Sequence, residues 1–260
     1  SRIGQSTLLM INCCNICNSK NSEKLYSGIL KCKNCSHVYA DISINQEELK
    51  TLYKKNYFFG EEYLNYISDK EIIQKNFKLR LSKIYKYKKN KAQSLLEIGS
   101  AYGYFLDLVK NDFQKIAGVE ISEDCLDFCK RNYDFNIYNF LEFEIKLKEK
   151  YDFFCLWDVI EHLKDPNKYI NRISELSNKD SMIAITTGNI ESLNSKIFRE
   201  NWRLIHPPTH LHYFSYNSIK TLLEKNNFKI IHFEHCGYYR SFQFIFYKLK
   251  IQKNLKLLLQ

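Results

Sequence analysis

Three groups of residues in this 260-residue chain have the types and spacing that do chemistry. The first is a set of four cysteines in two C-x-x-C pairs, Cys14/Cys17 and Cys32/Cys35, with fourteen residues between the pairs. Four thiolates held in two such knuckles can close tetrahedrally around Zn2+, and a four-cysteine site leaves no coordination position open for catalysis, so the role it predicts is structural. Two rivals fit less well. A redox C-x-x-C sits where a strand runs into a helix, which neither pair does, and two disulfides would need an oxidising compartment. Cys13 reads as a spare thiol beside a ligand.

The second group is the string E-I-G-S-A-Y-G, Glu97 to Gly103, followed by Glu120 twenty-one residues after Gly99. Glycine suits a turn where the backbone bends sharply and a ligand approaches without a Cβ in the way. A carboxylate at the Glu120 position can accept hydrogen bonds from both ribose hydroxyls of a nucleoside bound over that turn. A pyrophosphate asks for G-x-G-x-x-G, whereas Ser100 and Ala101 stand where the middle glycine would be. Glu97 would repel a pyrophosphate but can anchor, directly or through water, the cationic end of S-adenosylmethionine. The spacing therefore favours that methyl donor over NAD.

The third group is histidine. His162 lies in an E-H-L string, and His206, His210 and His212 flank Pro207 and Pro208. A histidine near neutral pH can take a proton from an acceptor hydroxyl. His210, on a loop stiffened by the two prolines, is the first choice as base. His206 and His212 are the backups, and His162 is equally well read as a capping or packing residue. Lys196, Arg199 and Arg203, in the same stretch, are suited either to an anionic acceptor or to a solvated basic surface.

These residues need elements to hold them. Residues 94–98 read as a strand, then the glycine turn, then apolar residues at helical spacing from Tyr104. Strands are expected over 115–120, 135–138, 151–157, 181–187, 228–234 and 242–248, and helices over 123–131, 166–176 and 215–225. The last opens on S-Y-N-S, a capping signal. Such alternation predicts an α/β fold with a mostly parallel sheet of seven strands covered by helices on both faces. Residues 24–31, with Ser27-Gly28 as the turn, suit a small β-hairpin between the cysteine pairs, and 37–44 an extended connector. A helix is expected over 45–55, before an aromatic run at 57–60. Residues 70–89 carry Ile72, Ile73, Phe77, Leu81, Ile84 and Tyr85 on one stripe, with a basic face that includes Lys75, Lys78, Arg80, Lys83, Lys86 and Lys88.

The formal net charge is +10. That balance admits RNA, DNA, an anionic membrane surface or an anionic small substrate, or only a lysine-rich surface kept soluble. No run approaches the roughly 20 apolar residues of a spanning helix. The nine cysteines form no evenly spaced framework of the secreted kind, so a reducing cytoplasm fits best. Residues 1–9 read as a leftover of expression, 10–40 as the zinc ribbon, 41–90 as a helical connector or cap, and 91–260 as the nucleoside-binding domain.

The string Y-D-F-F-C-L-W-D-V-I-E-H-L-K-D-P, from Tyr151 to Pro166, closely resembles the fourth motif of class I S-adenosylmethionine-dependent methyltransferases. E-I-G-S-A-Y-G-Y-F and V-E-I-S match the first and second motifs, and the resemblance covers about residues 90–235. The N-terminal cysteines, with Trp202 and P-P-T-H-L-H-Y-F-S from Pro207 to Ser215, are similar to a zinc-ribbon subgroup found in bacterial polysaccharide and natural-product clusters. The resemblance implies a Rossmann-like sheet with structural Zn2+ and S-adenosylmethionine as cofactors. It implies a donor turn of Glu97, Gly99, Ser100 and Gly103 covered by Tyr102. Glu120 would hold the ribose, Ile121 would pack on the adenine, and Asn139 and Phe140 would flank its edge. Trp157 and Asp158 would lie under the methionine portion. Related sugar C-methyltransferases use a histidine of the H-L-x-Y-F-S region for proton transfer, which points to His210.

Three functions follow as expectations. The first is methyl transfer in the cytoplasm to a small, sugar-linked or anionic acceptor in capsule or O-antigen biosynthesis. The second is an RNA methyltransferase using the ribbon and the basic face. The amino-directed N/D-P-P-Y/F string and an aromatic-basic stacking platform are missing from the sequence, which counts against it. The third is a non-catalytic zinc-ribbon binding module.

Overall fold

A computed structural model of the chain describes residues 13–42, 45, 48, 51, 66–87 and 93–240. In order it contains β1 (Ser22–Tyr26), β2 (Ile29–Cys32), β3 (Val38–Ala40), α1 (Lys70–Tyr87), β4 (Ser94–Ile98), α2 (Tyr104–Val109), β5 (Lys115–Glu120), α3 (Glu123–Asn132) and β6 (Asn136–Asn139). These are followed by β7 (Tyr151–Trp157), α4 (Pro166–Glu175), β8 (Ser177–Thr186), α5 (Leu193–Phe198), β9 (His212–Tyr213) and α6 (Tyr216–Lys225).

The central sheet has five strands in the order β6-β5-β4-β7-β8, and every pairing is parallel. A continuous apolar run such as that of β7 is what a strand buried on both faces requires. Alternation within the strands divides two cores. Leu96, Ile98, Phe154 and Leu156 pack with Tyr169, Ile170 and Ile173 of α4 and Leu222 and Leu223 of α6. Leu95, Phe153, Cys155 and Trp157 point the other way, onto Phe77 and Leu81 of α1, Phe105 and Leu106 of α2, and Leu126 of α3. A residue such as Phe154, fully buried, would cost about 3–5 kcal/mol to truncate to alanine.

Local sequence explains where the helices start. Asp165 caps α4 by accepting from the Lys168 amide at 3.2 Å, with Pro166 in the first turn, where its missing N–H is harmless. Ser215 and Ser218 form a reciprocal capping box that opens α6.

The chain runs outward from β4 through β5 to β6, then returns and runs the other way from β7 to β8. The strand order therefore reverses between β4 and β7. At such a point the loops beyond the two carboxyl ends diverge and leave a crevice.

The second sheet is antiparallel in the order β1-β2-β3-β9. The expected hairpin is β1 and β2, with Gly28 at φ +69° in its turn. The stretch read as a connector over 37–44 instead contains β3. It becomes a strand because it finds partners on both sides: β2 pairs with one edge and β9, from the far end of the chain, with the other.

Six of the seven strands expected for the parallel sheet fall among the described residues, and five of these form. Residues 228–234 do not form the sixth. Side chains from 231 to 239 are exposed, and the segment bonds to α1 rather than to a strand edge. Lys83 Nζ meets Glu234, Tyr87 Oη meets His232 Nδ1, and Asn76 bonds both the amide and the carbonyl of Tyr239. The strand over 242–248, residues 1–12, the aromatic run at 57–60 and the boundary near 90 lie outside the described residues. So does the helix over 45–55, apart from Asn45, Glu48 and Thr51.

Candidate active site at the carboxyl edge of the sheet

The glycine turn follows β4 directly. Gly99 has φ +75°, Ala101 φ 45° and Gly103 φ +71°, three left-handed positions within five residues. The Gly99 and Ser100 amides both donate to the Val119 carbonyl, at 2.8 and 3.1 Å, and the Gly103 amide donates to the Ser100 carbonyl at 2.8 Å. A Cβ on Gly99 would stand 2.4 Å from Val159 Cγ2, so the crevice wall is as close as backbone allows. Tyr102 is buried against Tyr66, Tyr104 and Phe128.

Glu120, at the end of β5, reaches back to this turn. One carboxylate oxygen accepts from the Ala101 amide at 2.7 Å, and the other accepts from the amides of Ile121 and Ser122, at 2.7 and 2.9 Å. Burial pushes its pKa up, and these three amides oppose the rise. Glu97 has no such help. It is buried, its Oε2 has no hydrogen-bond partner, and burial reinforced by the Glu120 charge pushes its pKa well above the usual range, with Arg80 opposing. Ser100 Oγ and Trp157 Nε1 are likewise buried and unpartnered. A folded chain satisfies nearly all of its buried polar groups, so three orphans beside one turn mark a place built for something that bonds to them.

Asp158 follows β7 with φ 54°, and its carboxylate receives Arg80 Nη2 at 2.7 Å. The Arg80 guanidinium also lies over the Trp157 ring at 5.3 Å and the Phe77 ring at 5.7 Å. Arg80 was expected on the solvated basic face of α1 and is instead 9 % exposed. Its position three residues after Phe77 and four before Ile84 puts it on the apolar stripe, and that spacing was the signal available in the sequence. Asn139 uses its side-chain oxygen to accept the Glu142 amide at 2.9 Å, which leaves its NH2 as the group able to meet a ligand. Ile121 is half-buried, and Phe140 is buried against Tyr169.

Beyond Trp157 the chain makes a short 3-10 turn, Ile160–His162, and three histidines converge on it. The ring centroids of His162 and His210 are 4.5 Å apart, and those of His206 and His210 are 3.9 Å apart. His162 Nδ1 lies 2.8 Å from the Thr209 carbonyl and His210 Nδ1 lies 2.9 Å from the Leu204 carbonyl. A carbonyl only accepts, so each Nδ1 carries the proton and each Nε2 the lone pair. Burial, with His162 and His206 adding to it, pushes the His210 pKa down to about 2. Beside the rings sits Glu161, a residue the sequence reading passed over although it adjoins His162. It is buried, and burial together with the Asp158 charge lifts its pKa to about 8. His212 lies apart from this group, buried on the ribbon side with its Nδ1 3.0 Å from His37 Nε2.

The four cysteines also converge. One Sγ from each of Cys14, Cys17, Cys32 and Cys35 lies within 4.8 Å of the others, with Cys14 and Cys35 at 3.6 Å and Cys17 and Cys32 at 3.5 Å. Four soft donors around one point fit a tetrahedral thiolate-seeking ion. This cluster is not a free appendage. Cys14, Ile16, Cys32 and Tyr39 belong to the same buried core as α4 and α6, and Asn15 Nδ2 donates to the Lys164 carbonyl at 2.8 Å. Lys196, Arg199 and Arg203 are exposed on the stretch between β8 and β9.

A family model described as a methyltransferase domain matches residues 68–233. No curated protein sequence matches the chain. Among solved structures, the chain is similar to an S-adenosylmethionine-dependent methyltransferase from Archaeoglobus fulgidus, at 26% identity and TM-score 0.52, over 66% of this chain and 79% of that one. It is also similar to an S-adenosylmethionine-dependent methyltransferase from Clostridium acetobutylicum, at 12% identity and TM-score 0.52, over 68% of this chain and 92% of that one. A magnesium protoporphyrin IX methyltransferase from Synechocystis, solved with bound S-adenosylhomocysteine, shares the fold at 12% identity and TM-score 0.52, over 70% of this chain and 89% of that one. The family match takes in the whole parallel sheet and helices α1 to α6 while leaving out the four cysteines, and on it this chain belongs to the methyltransferase-domain family.

Proposed function

We propose that the protein transfers a methyl group from S-adenosylmethionine to a small-molecule acceptor, a sugar, nucleotide-sugar or phosphate-type decoration used in building surface polysaccharide. The observation that carries the donor reading is the trio of buried, unpartnered atoms, Glu97 Oε2, Ser100 Oγ and Trp157 Nε1, beside a turn with no room for a Cβ at Gly99. When bound, S-adenosylmethionine supplies a methyl carbon activated by its positive sulfur, so that an acceptor lone pair forms the new bond as the carbon–sulfur bond breaks and its electron pair returns to sulfur.

The residues divide this task. Glu97 offers a carboxylate to the positively charged amino-acid end, and that charge would relieve its uncompensated burial. Glu120, already fixed by three amides, presents the one lone pair left on Oε2 to a ribose hydroxyl. Ile121 and Phe140 give the adenine an apolar bed and Asn139 a donor at its edge. Trp157 and Asp158 underlie the methionine portion, and Gly103 and Tyr102 close the turn. An acceptor hydroxyl loses its proton toward the histidine cluster of His162, His206 and His210; burial keeps the central His210 neutral with its lone pair on Nε2, at the cost of making it a weaker base than an exposed histidine. The exposed cations Lys196, Arg199 and Arg203 suit an acceptor that carries phosphate. Cys14, Cys17, Cys32 and Cys35 hold a structural Zn2+ that keeps the ribbon folded onto this edge, in a compartment reducing enough to keep them thiols.

Two measurements test the reading. S-adenosylhomocysteine should raise the melting temperature, by an amount that grows with ligand concentration, and NAD should not. No shift with S-adenosylhomocysteine, or a shift with NAD alone, sinks the donor assignment. Replacing His210 by alanine should lower turnover by about 10²-fold or more while S-adenosylhomocysteine binding persists. An unchanged rate would place the proton acceptor elsewhere.

A further inference from the structure

The cluster beside the donor crevice contains more than histidine. We propose that Glu161, His162 and His210 bind a divalent first-row transition cation, at a second metal site separate from the four cysteines.

Three observations point there. One donor atom from each of Glu161, His162 and His210 lies within 4.8 Å of the other two, so small side-chain rotations bring all three to the roughly 2.0–2.2 Å of a shared ion. Both imidazoles are already set for ligation. Their Nδ1–H groups are donated to the carbonyls of Thr209 and Leu204, which puts each lone pair on Nε2 and fixes the ring orientation, as metal-bound histidines require. Glu161 is 4 % exposed and its Oε2 has no hydrogen-bond partner, an arrangement that is costly for an acid and is resolved by a cation.

The donor set names the class of ion. Two imidazoles and a carboxylate suit Zn2+, Co2+, Ni2+, Fe2+ or Mn2+, whereas four thiolates select softer partners. Backbone bonds hold the ligands together: the Leu211 amide donates to the Glu161 carbonyl at 2.9 Å, which ties the loop bearing His210 to the turn bearing Glu161 and His162. Three protein ligands leave coordination positions open, and an acceptor bound in the neighbouring crevice would be the group to fill them. This last step rests on the proposed methyl transfer, whereas the ion site itself does not. An acceptor with adjacent oxygens, from hydroxyls or a phosphate, could then be held and its hydroxyl acidified, and because the His162 and His210 lone pairs would then be on the ion, the proton would leave toward His206 or solvent in place of His210.

The test is equilibrium dialysis of tag-free protein against Co2+, with metal analysis and absorption spectra. Two cobalt ions should bind per chain. Sulfur-to-cobalt charge-transfer intensity should account for one of them only. Glu161→Gln and His162→Ala should each weaken the second ion at least about tenfold while the charge-transfer bands persist, which also reports an intact ribbon. One cobalt per chain in the unaltered protein, or a second ion retained at full affinity in both variants, overturns the proposal. A thermal shift with S-adenosylhomocysteine, run beside it, separates the two readings. A retained shift with a missing second ion removes only the metal site, and a second ion without any shift removes only the donor assignment.

Discussion

Ala40 donates its amide to the carbonyl of Leu211 at 2.9 Å, and Leu211 donates its own amide to the carbonyl of Glu161 at 2.9 Å. The ribbon is thereby hydrogen-bonded one residue away from His210. Tyr39 pairs with His212 and Val38 with Tyr213, so β3 forms one side of the loop that carries the histidines. Loss of the Zn2+ proposed for the four cysteines should therefore loosen the histidine loop and leave the glycine turn, across the sheet edge, in place. Cys32→Ser should reduce turnover about tenfold or more with S-adenosylhomocysteine affinity changed by less than about threefold. Titration calorimetry beside a turnover assay decides it, and equal losses in both would mean the ribbon merely supports the whole fold.

Glu120 bonds the amides of Ala101, Ile121 and Ser122 and so shapes the turn as well as offering a lone pair to a ribose. Glu120→Ala should weaken S-adenosylhomocysteine by about 1.5–3 kcal/mol, the range for hydrogen bonds to a charged group. Glu120→Gln keeps one oxygen acceptor and should lose less. Calorimetric affinities for the pair provide the check; a glutamine variant as weak as alanine would show that charge alone matters.

For Glu97 the expectation is a dependence on pH. Burial raises its folded pKa above the 4.5 of an exposed glutamate, so the ligand-free fold keeps a proton that the unfolded chain releases. Stability on this account is highest below pH 4.5 and falls as pH rises toward the folded pKa. Glu97→Gln removes the penalty and should stabilise the ligand-free protein by about 1–3 kcal/mol at neutral pH, while weakening the donor. Melting temperatures measured from pH 5 to pH 8 should decline less steeply in the variant; identical slopes would rule the idea out.

Gly99 combines φ +75° with a Cβ position 2.4 Å from Val159 Cγ2. Gly99→Ala should cost about 1–3 kcal/mol from backbone strain alone, with the clash added. Val159→Ala introduced in the same chain should return the steric part and leave the strain. Chemical denaturation of the single and double variants measures both, and additive losses would show that Val159 is not the obstacle.

Much of the fold could be read along the chain because parallel strands and their helices announce themselves locally. The strand over 115–120 coincides with β5 and that over 151–157 with β7, since each is a short apolar run bounded by polar residues. The capping serine before α6 was legible for the same reason. The misses share one cause. Residues 38–40 carry no period that distinguishes a strand from a connector; they become β3 because β2 lies on one side of them and β9, some 170 residues later, on the other. Residues 228–234 alternate like a strand but bond along α1 instead. Arg80 reads as one more surface cation until Asp158 and Trp157 are brought to it.

By itself the sequence determined the chemistry on offer: two cysteine knuckles, a glycine turn flanked by Glu97 and Glu120, and histidines on either side of two prolines. Residue type and near-neighbour spacing suffice for that, because turns, caps and strand ends are local. Only the tertiary structure decided which of these groups meet. It left Glu97, Ser100 and Trp157 with buried polar atoms unpartnered, gathered Glu161, His162 and His210 from two segments, and joined the ribbon to their loop through Ala40 and Leu211. Such meetings depend on strand order and on burial, which are set by packing between residues far apart in the chain and so leave no trace in any short stretch of it.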